Sequence, residues 1–240
     1  MNIDLEKFLK ARIRNLARET NTDPALIWQT LFLERFLIRL SQSPYSKLFI
    51  FKGGVLLSKL IRLERETRDL DFTILKKKHE HKQILEILST VGQIDLKDGF
   101  IFRDLSVDPL PHPHMKYSGF KASMRGQFHK AKSKISIDLG YGDFVEPHEQ
   151  SLSLTRDLKG HFFEPVAKLS CYPVEYIFAE KLQTICIRGA QNSRMKDFHD
   201  LYLLINQMGD LLLPKIHKIL EQVFIHRQTL MALSYLFFYR

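Results

Sequence analysis

Two aspartates separated by one residue, in Arg68-Asp69-Leu70-Asp71-Phe72-Thr73-Ile74, have the clearest capacity for chemistry in this 240-residue chain. In an extended segment successive side chains alternate between faces, so Asp69 and Asp71 share one face while Leu70, Phe72 and Ile74 occupy the other. Two carboxylates held a few ångströms apart repel each other unless a cation lies between them. A divalent metal answers that need, because hard cations such as Mg²⁺ take carboxylate oxygens and keep open positions for phosphate. The apolar face explains the strand. It does not explain the two acids.

The elements around this pair sharpen the reading. Upstream, Leu48-Phe49-Ile50-Phe51 reads as a buried strand, Lys52-Gly53-Gly54 as a tight turn, and Val55 to Leu63 as a helix. Strand, double glycine and helix start make a phosphate-accepting arrangement, since glycine lets the backbone approach an anion and the helix start offers unpaired N–H groups. No Walker-type lysine follows the glycines and there is no GxGxxG, which excludes the P-loop and Rossmann readings. Downstream, Lys134-Ile135-Ser136-Ile137-Asp138-Leu139-Gly140 alternates, with Ile135, Ile137 and Leu139 inward and Asp138 facing the other way. If this strand pairs beside the first, Asp138 joins Asp69 and Asp71 in a metal-binding triad. Taken alone, Asp138 reads as an exposed strand acid before a glycine turn.

Two helical segments carry charges in unexpected places. In Val174 to Cys186 the apolar arc contains Lys181, between Ile177 and Ile185, while Glu180 points away. A lysine there must snorkel, pair with an acid or reach a ligand. In Arg194-Met195-Lys196-Asp197-Phe198-His199-Asp200-Leu201 the aspartates are three apart and share a helix side, with Asp197 bordering the apolar face. Lys181 and Asp197 are therefore expected to face a cleft between a strand domain and a helical domain.

The chain is strongly basic, with 36 Lys and Arg against 27 Asp and Glu and a formal charge of +9, which favours a polyanionic partner. Between Asp108 and Asp138 there is no acid, whereas Lys116, Lys121, Arg125, Lys130, Lys132 and Lys134 accumulate with Tyr117, Phe120 and Phe128 interleaved. Such a mixture suits phosphate contacts and base stacking on single-stranded nucleic acid. It equally suits a solvated hairpin whose aromatics face the core. His112 and His114 lie between prolines and read as an extended loop rather than a metal site. No apolar run is long enough to cross a bilayer, and the first residues lack a signal-peptide core. Cys171 and Cys186 are too few for a zinc site and read as reduced core residues, so a cytoplasmic location is expected.

Helical spacing at Ile27, Leu31 and Ile38, opened by Asp23-Pro24, makes the N-terminal stretch helical. Strands dominate from Leu48 to about Val145, and helical periodicity takes over from Pro173. The fold class is α+β: an N-terminal helical segment over 1–45, a mixed-sheet core over 46–150 and a C-terminal helical domain over 151–240.

Taken together, Gly53-Gly54, Asp69-Leu70-Asp71, Ile137-Asp138, Glu175 to Leu182 and Arg194 to Leu201 resemble the successive motifs of the AbiEii/AbiGii-type nucleotidyltransferases. These are toxins of abortive-infection and toxin–antitoxin systems within the DNA polymerase β-like superfamily. The resemblance runs from about Phe49 to Tyr202, and its last two motifs are the more specific. It implies a polymerase β-like core that moves a nucleoside monophosphate from an NTP to an acceptor, an RNA (tRNA) 3′ end, with Mg²⁺ or Mn²⁺ as cofactor and a cognate antitoxin as partner. By carry-over, Asp69, Asp71 and Asp138 bind metal, and Lys52, Gly53, Gly54 and Lys181 meet the nucleotide phosphates. Asp197 or Asp200 completes the site. The competing readings are a non-catalytic RNA- or partner-binding protein on the same fold, and a nucleotidyltransferase acting on a protein or antibiotic hydroxyl.

Overall fold

The computed structural model describes residues 3–61, 63, 66–75, 79–110 and 119–229. Two helices open the chain, α1 (Ile3–Thr20) and α2 (Pro24–Gln42). Asp23 caps α2 as its sequence suggests: its Oδ1 accepts the N–H of Ala25 at 2.8 Å, with Pro24 in the first turn. The buried stripe of α2 contains Ile27, Leu31, Phe32, Phe36 and Ile38, and also Arg35 and Arg39. Those two guanidiniums are tied down by acid. Arg35 Nε donates to Asp98 Oδ2 at 2.6 Å, Arg39 Nη2 donates to Asp98 Oδ1 and to the carbonyl of Phe100, and Arg35 also pairs with Glu164. Their planes lie over Phe163 and Phe102.

The next elements are β1 (Phe49–Lys52), α3 (Gly53–Leu60), β2 (Asp69–Ile74), α4 (His81–Gln93), β3 (Ile101–Leu110), β4 (Gly119–Phe128), β5 (Ala131–Tyr141) and β6 (His148–Ser153). Then come the short β7 (Arg156–Asp157) and β8 (Gly160–His161), β9 (Val166–Cys171), α5 (Val174–Arg188) and α6 (Met195–His226). Seven strands form one mixed sheet in the order β3-β4-β5-β2-β1-β9-β6. The β2/β5 and β1/β9 pairs are parallel and the other pairs antiparallel. The alternation read from sequence holds: Leu70, Phe72, Ile135, Ile137 and Leu139 are buried on one face, in one core with Phe32 and Phe36 of α2.

The sheet runs past the boundary expected at residue 150. That position lies inside β6, and β9 joins the sheet next to β1, so the helical part begins only at Val174. β6 is polar and β7 and β8 have two residues each, while β9 reaches β1 by long-range parallel pairing that leaves no local pattern.

β4 and β5 form the basic hairpin. Phe120 and Phe128 are buried, at 6% and 1% exposure, so these aromatics serve the core and not base stacking. Lys121, Arg125, Lys132 and Lys134 stay exposed. Lys116, Tyr117, His112 and His114 lie outside the described residues. Cys171 is buried and Cys186 partly so, both as free thiols, and burial pushes the Cys171 thiol up to about 12. Among the described residues no helix is long and apolar enough to cross a membrane.

Candidate active site

The sheet register puts the acids side by side. β2 and β5 run parallel with Asp71 opposite Asp138 and Asp69 opposite Ser136, so all three acids stand on the face away from Leu70 and Ile137. β1 runs antiparallel to β2 with Lys52 opposite Asp71, and β4 sets Lys121 opposite Asp138. Burial, joined by the charges of Asp138 and Asp69, lifts the Asp71 carboxyl from its ordinary 3.8 to about 6 despite the opposing pull of Lys52. Asp138 Oδ1 is buried and accepts no hydrogen bond among the described residues; the Lys121 ammonium stands 3.5 Å from it. Among the described residues no three His, Cys, Asp or Glu side chains gather tightly enough to hold a metal ion by themselves. The three acids thus share a face without closing into one cluster.

Gly53 makes this closeness possible. Its φ is +75°, and a Cβ on it would fall on the carboxylate of Asp71. The Gly54 N–H donates to that carboxylate, so Asp71 takes up one of the unpaired amides at the start of α3.

Lys52 turns to a different partner. Its ammonium pairs with Asp143, in the loop after β5, and lies 5.2 Å from the centre of the Tyr172 ring. The Tyr172 hydroxyl donates to Glu180 at 3.2 Å, Arg227 bonds Glu180 at 3.0 Å, and its guanidinium stands 3.6 Å from Asp143. Burial alone would raise the Asp143 carboxyl, but the charge of Lys52 and the hydrogen bond from it hold the group down at about 2. Burial alone would lower Lys52, yet Asp143 and Glu180 keep it above the usual lysine range.

On the next helical residue of α5, Lys181 bonds Asp197 at 2.9 Å and Asp200 at 2.8 Å, both on α6. Arg194 Nε lies 2.7 Å from Asp197. Both acids are nearly inaccessible, at 1% and 0% exposure, and Lys181 keeps a small opening to solvent. The lysine set in an apolar arc therefore pairs with both candidate acids at once.

Comparison with known proteins places the chain in a family. The sequence model described as "Nucleotidyl transferase AbiEii toxin, Type IV TA system" matches residues 35–237. The chain belongs to the AbiEii nucleotidyltransferase toxin family. It is a nucleotidyltransferase of the toxin–antitoxin type, on an α+β fold with a mixed sheet as expected from its sequence. Among solved structures, it is similar to JHP933 from Helicobacter pylori, with 16% identity, TM-score 0.50, and coverage of 77% of this chain and 68% of that one. It is also similar to MenT4, the nucleotidyltransferase toxin Rv2826c from Mycobacterium tuberculosis H37Rv, with 18% identity and TM-score 0.51. That second match covers 72% of this chain and 58% of MenT4. No curated protein sequence matches the chain significantly.

The family uses an NTP and usually a divalent metal, and the toxin's acids suit such a cation by their chemistry. They are hard oxygen donors, one of them with its ionisation opposed by burial and by its neighbours, another with a buried oxygen that accepts no hydrogen bond from the described residues. Sequence reading missed Asp143, Tyr172, Glu180 and Arg227. Asp143 carried a local signal, an acid just past the Asp138 strand in Gly140-Tyr141-Gly142-Asp143. Glu180 was placed away from the apolar arc, and no local pattern tells that Arg227 returns to meet it.

Proposed function

We propose that this toxin moves a nucleoside monophosphate from an NTP to an RNA acceptor, a tRNA 3′ end, with Mg²⁺ or Mn²⁺ held by Asp69, Asp71 and Asp138. The observation that carries this reading is the in-register Asp71–Asp138 pair, in which burial and the neighbouring acids oppose the ionisation of Asp71. When bound, the metal supplies positive charge to the phosphate oxygens and orients them for displacement. The chain's own groups do the rest. Amides at the start of α3, opened by Gly53 and Gly54, receive a phosphate oxygen. Lys181 adds charge to the triphosphate, held in place by Asp197 and Asp200. Lys52, its ammonium bonded to Asp143, adds positive charge at longer range. The exposed Lys121, Arg125, Lys132 and Lys134 share the sheet face with the acids and offer the RNA backbone a basic track. An antitoxin partner and a cytoplasmic site of action follow from the family reading.

Incubating the protein with each labelled NTP, Mg²⁺ and total RNA tests the proposal. Label is expected in RNA, at a tRNA 3′ end, and should vanish with EDTA and in Asp71→Ala. Growth inhibition that persists unchanged in the Asp69/Asp71 double alanine variant, with no label in any acceptor, would support the non-catalytic binding protein instead. Label in protein or in an antibiotic would replace the RNA acceptor while keeping the transferase.

A further inference from the structure

We infer that Asp143 is a positioning residue that holds the Lys52 ammonium away from Asp71, so that the Asp71 carboxylate stays available to a divalent cation. The inference rests on the metal reading above. Lys52 stands directly opposite Asp71 across the antiparallel β1/β2 ladder, where oppositely charged side chains ordinarily pair. A lysine paired there would be a built-in cation competing with the metal. Instead the ammonium is bonded to Asp143.

Asp143 cannot easily follow the lysine back toward Asp71. Arg227 approaches its carboxylate at 3.6 Å, beside the Tyr172 hydroxyl. Arg227 is itself anchored on Glu180 at 3.0 Å and on Gln183 Oε1 at 3.1 Å. The loop is pinned beside it, with His226 Nε2 placed 2.6 Å from the carbonyl of Gly142 and the Phe144 ring against Tyr176. Charge points the same way. Lys52 and Arg227 balance Asp143 and Glu180 within this group, so it needs nothing from Asp71. On the other side, the ion pair that Asp69, Asp71 and Asp138 make among the described residues is the 3.5 Å contact of Lys121 with Asp138.

The test is Mn²⁺ binding by isothermal titration calorimetry on the full chain without nucleotide, with folding followed by circular dichroism. Asp143→Asn frees Lys52 to pair with Asp71 and should weaken Mn²⁺ binding about tenfold or more, the scale of one opposite charge at close range. Lys52→Met should bind Mn²⁺ at least as tightly as the wild type. The double variant Lys52→Met/Asp143→Asn should recover most of the lost affinity, because the competing ammonium is gone; a merely structural Asp143 would give no such rescue. An Asp143→Asn protein with wild-type affinity, or a loss that persists in the double variant, overturns the inference. If Asp143→Asn does not fold, the double variant decides against Lys52→Met alone: equal affinity supports the inference and weaker binding overturns it. Should Asp71→Asn bind Mn²⁺ as well as the wild type, the metal reading fails as well. Weakened binding in Asp71→Asn with unchanged binding in Asp143→Asn removes this inference alone.

Discussion

Asp98 and Asp71 are both carboxylates drawn out of water within this molecule, and they meet opposite company. Asp98 sits between the guanidiniums of Arg35 and Arg39 and also accepts the N–H of Phe100. Burial would raise its carboxyl, but the Arg39 hydrogen bond and charge more than offset that and hold it below the usual range. Asp71 faces two further acids, and its one close cation is engaged elsewhere. A buried acid surrounded by partners ties elements together, here α2 to the segment before β3. An acid set among acids, with only the Gly54 amide to satisfy it, carries a cost that makes sense if something positive arrives. Under the proposed function, the contrast separates the residues that hold the toxin together from those kept for its reaction.

The largest test of that contrast is Asp98→Ala. Removing one partner from a buried ion network leaves Arg39 without a carboxylate and Arg35 with Glu164 alone, and should lower stability by about 3–5 kcal/mol, read as a fall in Tm or denaturation midpoint. Transfer per folded molecule should be unchanged. A variant that melts like the wild type would erase the difference between the two regions.

Asp71→Asn should go the other way. A rise from 3.8 to about 6 means that ionising Asp71 costs the metal-free native state at most about 3 kcal/mol. The cost is fully present above pH 6 and is relieved as pH falls through 6 toward 4, because the native state takes up the proton first. At pH 8, metal-free Asp71→Asn should therefore be more stable than the wild type, while its transfer activity falls at least about 100-fold. Equal stability at pH 8 would show that the acids are already satisfied.

The same titration predicts the pH dependence of the wild type. Protons compete with the cation for Asp71, so labelling at limiting Mg²⁺ should fall as pH drops through about 6, and added Mg²⁺ should move the midpoint lower. The Asp143–Lys52 pair should hold through this range, since Asp143 titrates only near 2 and its stabilising effect is lost between about 4 and 2. Activity that stays flat down to pH 5 would remove Asp71 from the site.

A smaller effect is expected at Lys181. Lys181→Met leaves Asp197 and Asp200 without their shared cation, which should cost about 1–3 kcal/mol and raise the KM for NTP. Asp197→Asn and Asp200→Asn, compared for labelling at matched folded fraction, separate the acid that serves the reaction from the acid that only holds the lysine. Smallest of all, Lys132→Ala or Lys134→Ala should reduce the salt dependence of RNA binding by about one unit of log–log slope each, with no change in Tm.

The sequence by itself determined the two-faced strands, the glycine turn, the α2 cap and the odd lysine of α5. Each of these is a local pattern: period-two alternation at Asp69–Ile74 and Lys134–Gly140, Asp23 before Pro24, and Lys181 inside an apolar arc. A family resemblance supplied the order in which they act. Tertiary structure alone decided that Asp138 stands opposite Asp71, because parallel pairing of β2 with β5 depends on a crossover and leaves no mark in either strand. It alone decided that Phe120 and Phe128 turn inward, and that Arg35 and Arg39 are buried against Asp98 and Glu164. It also decided where Lys52 points. Its partner Asp143 lies 91 residues away in a loop, and Arg227 approaches that acid from the turn after α6. Contacts so distant along the chain have no period to reveal them; they exist only once the sheet has brought those ends together.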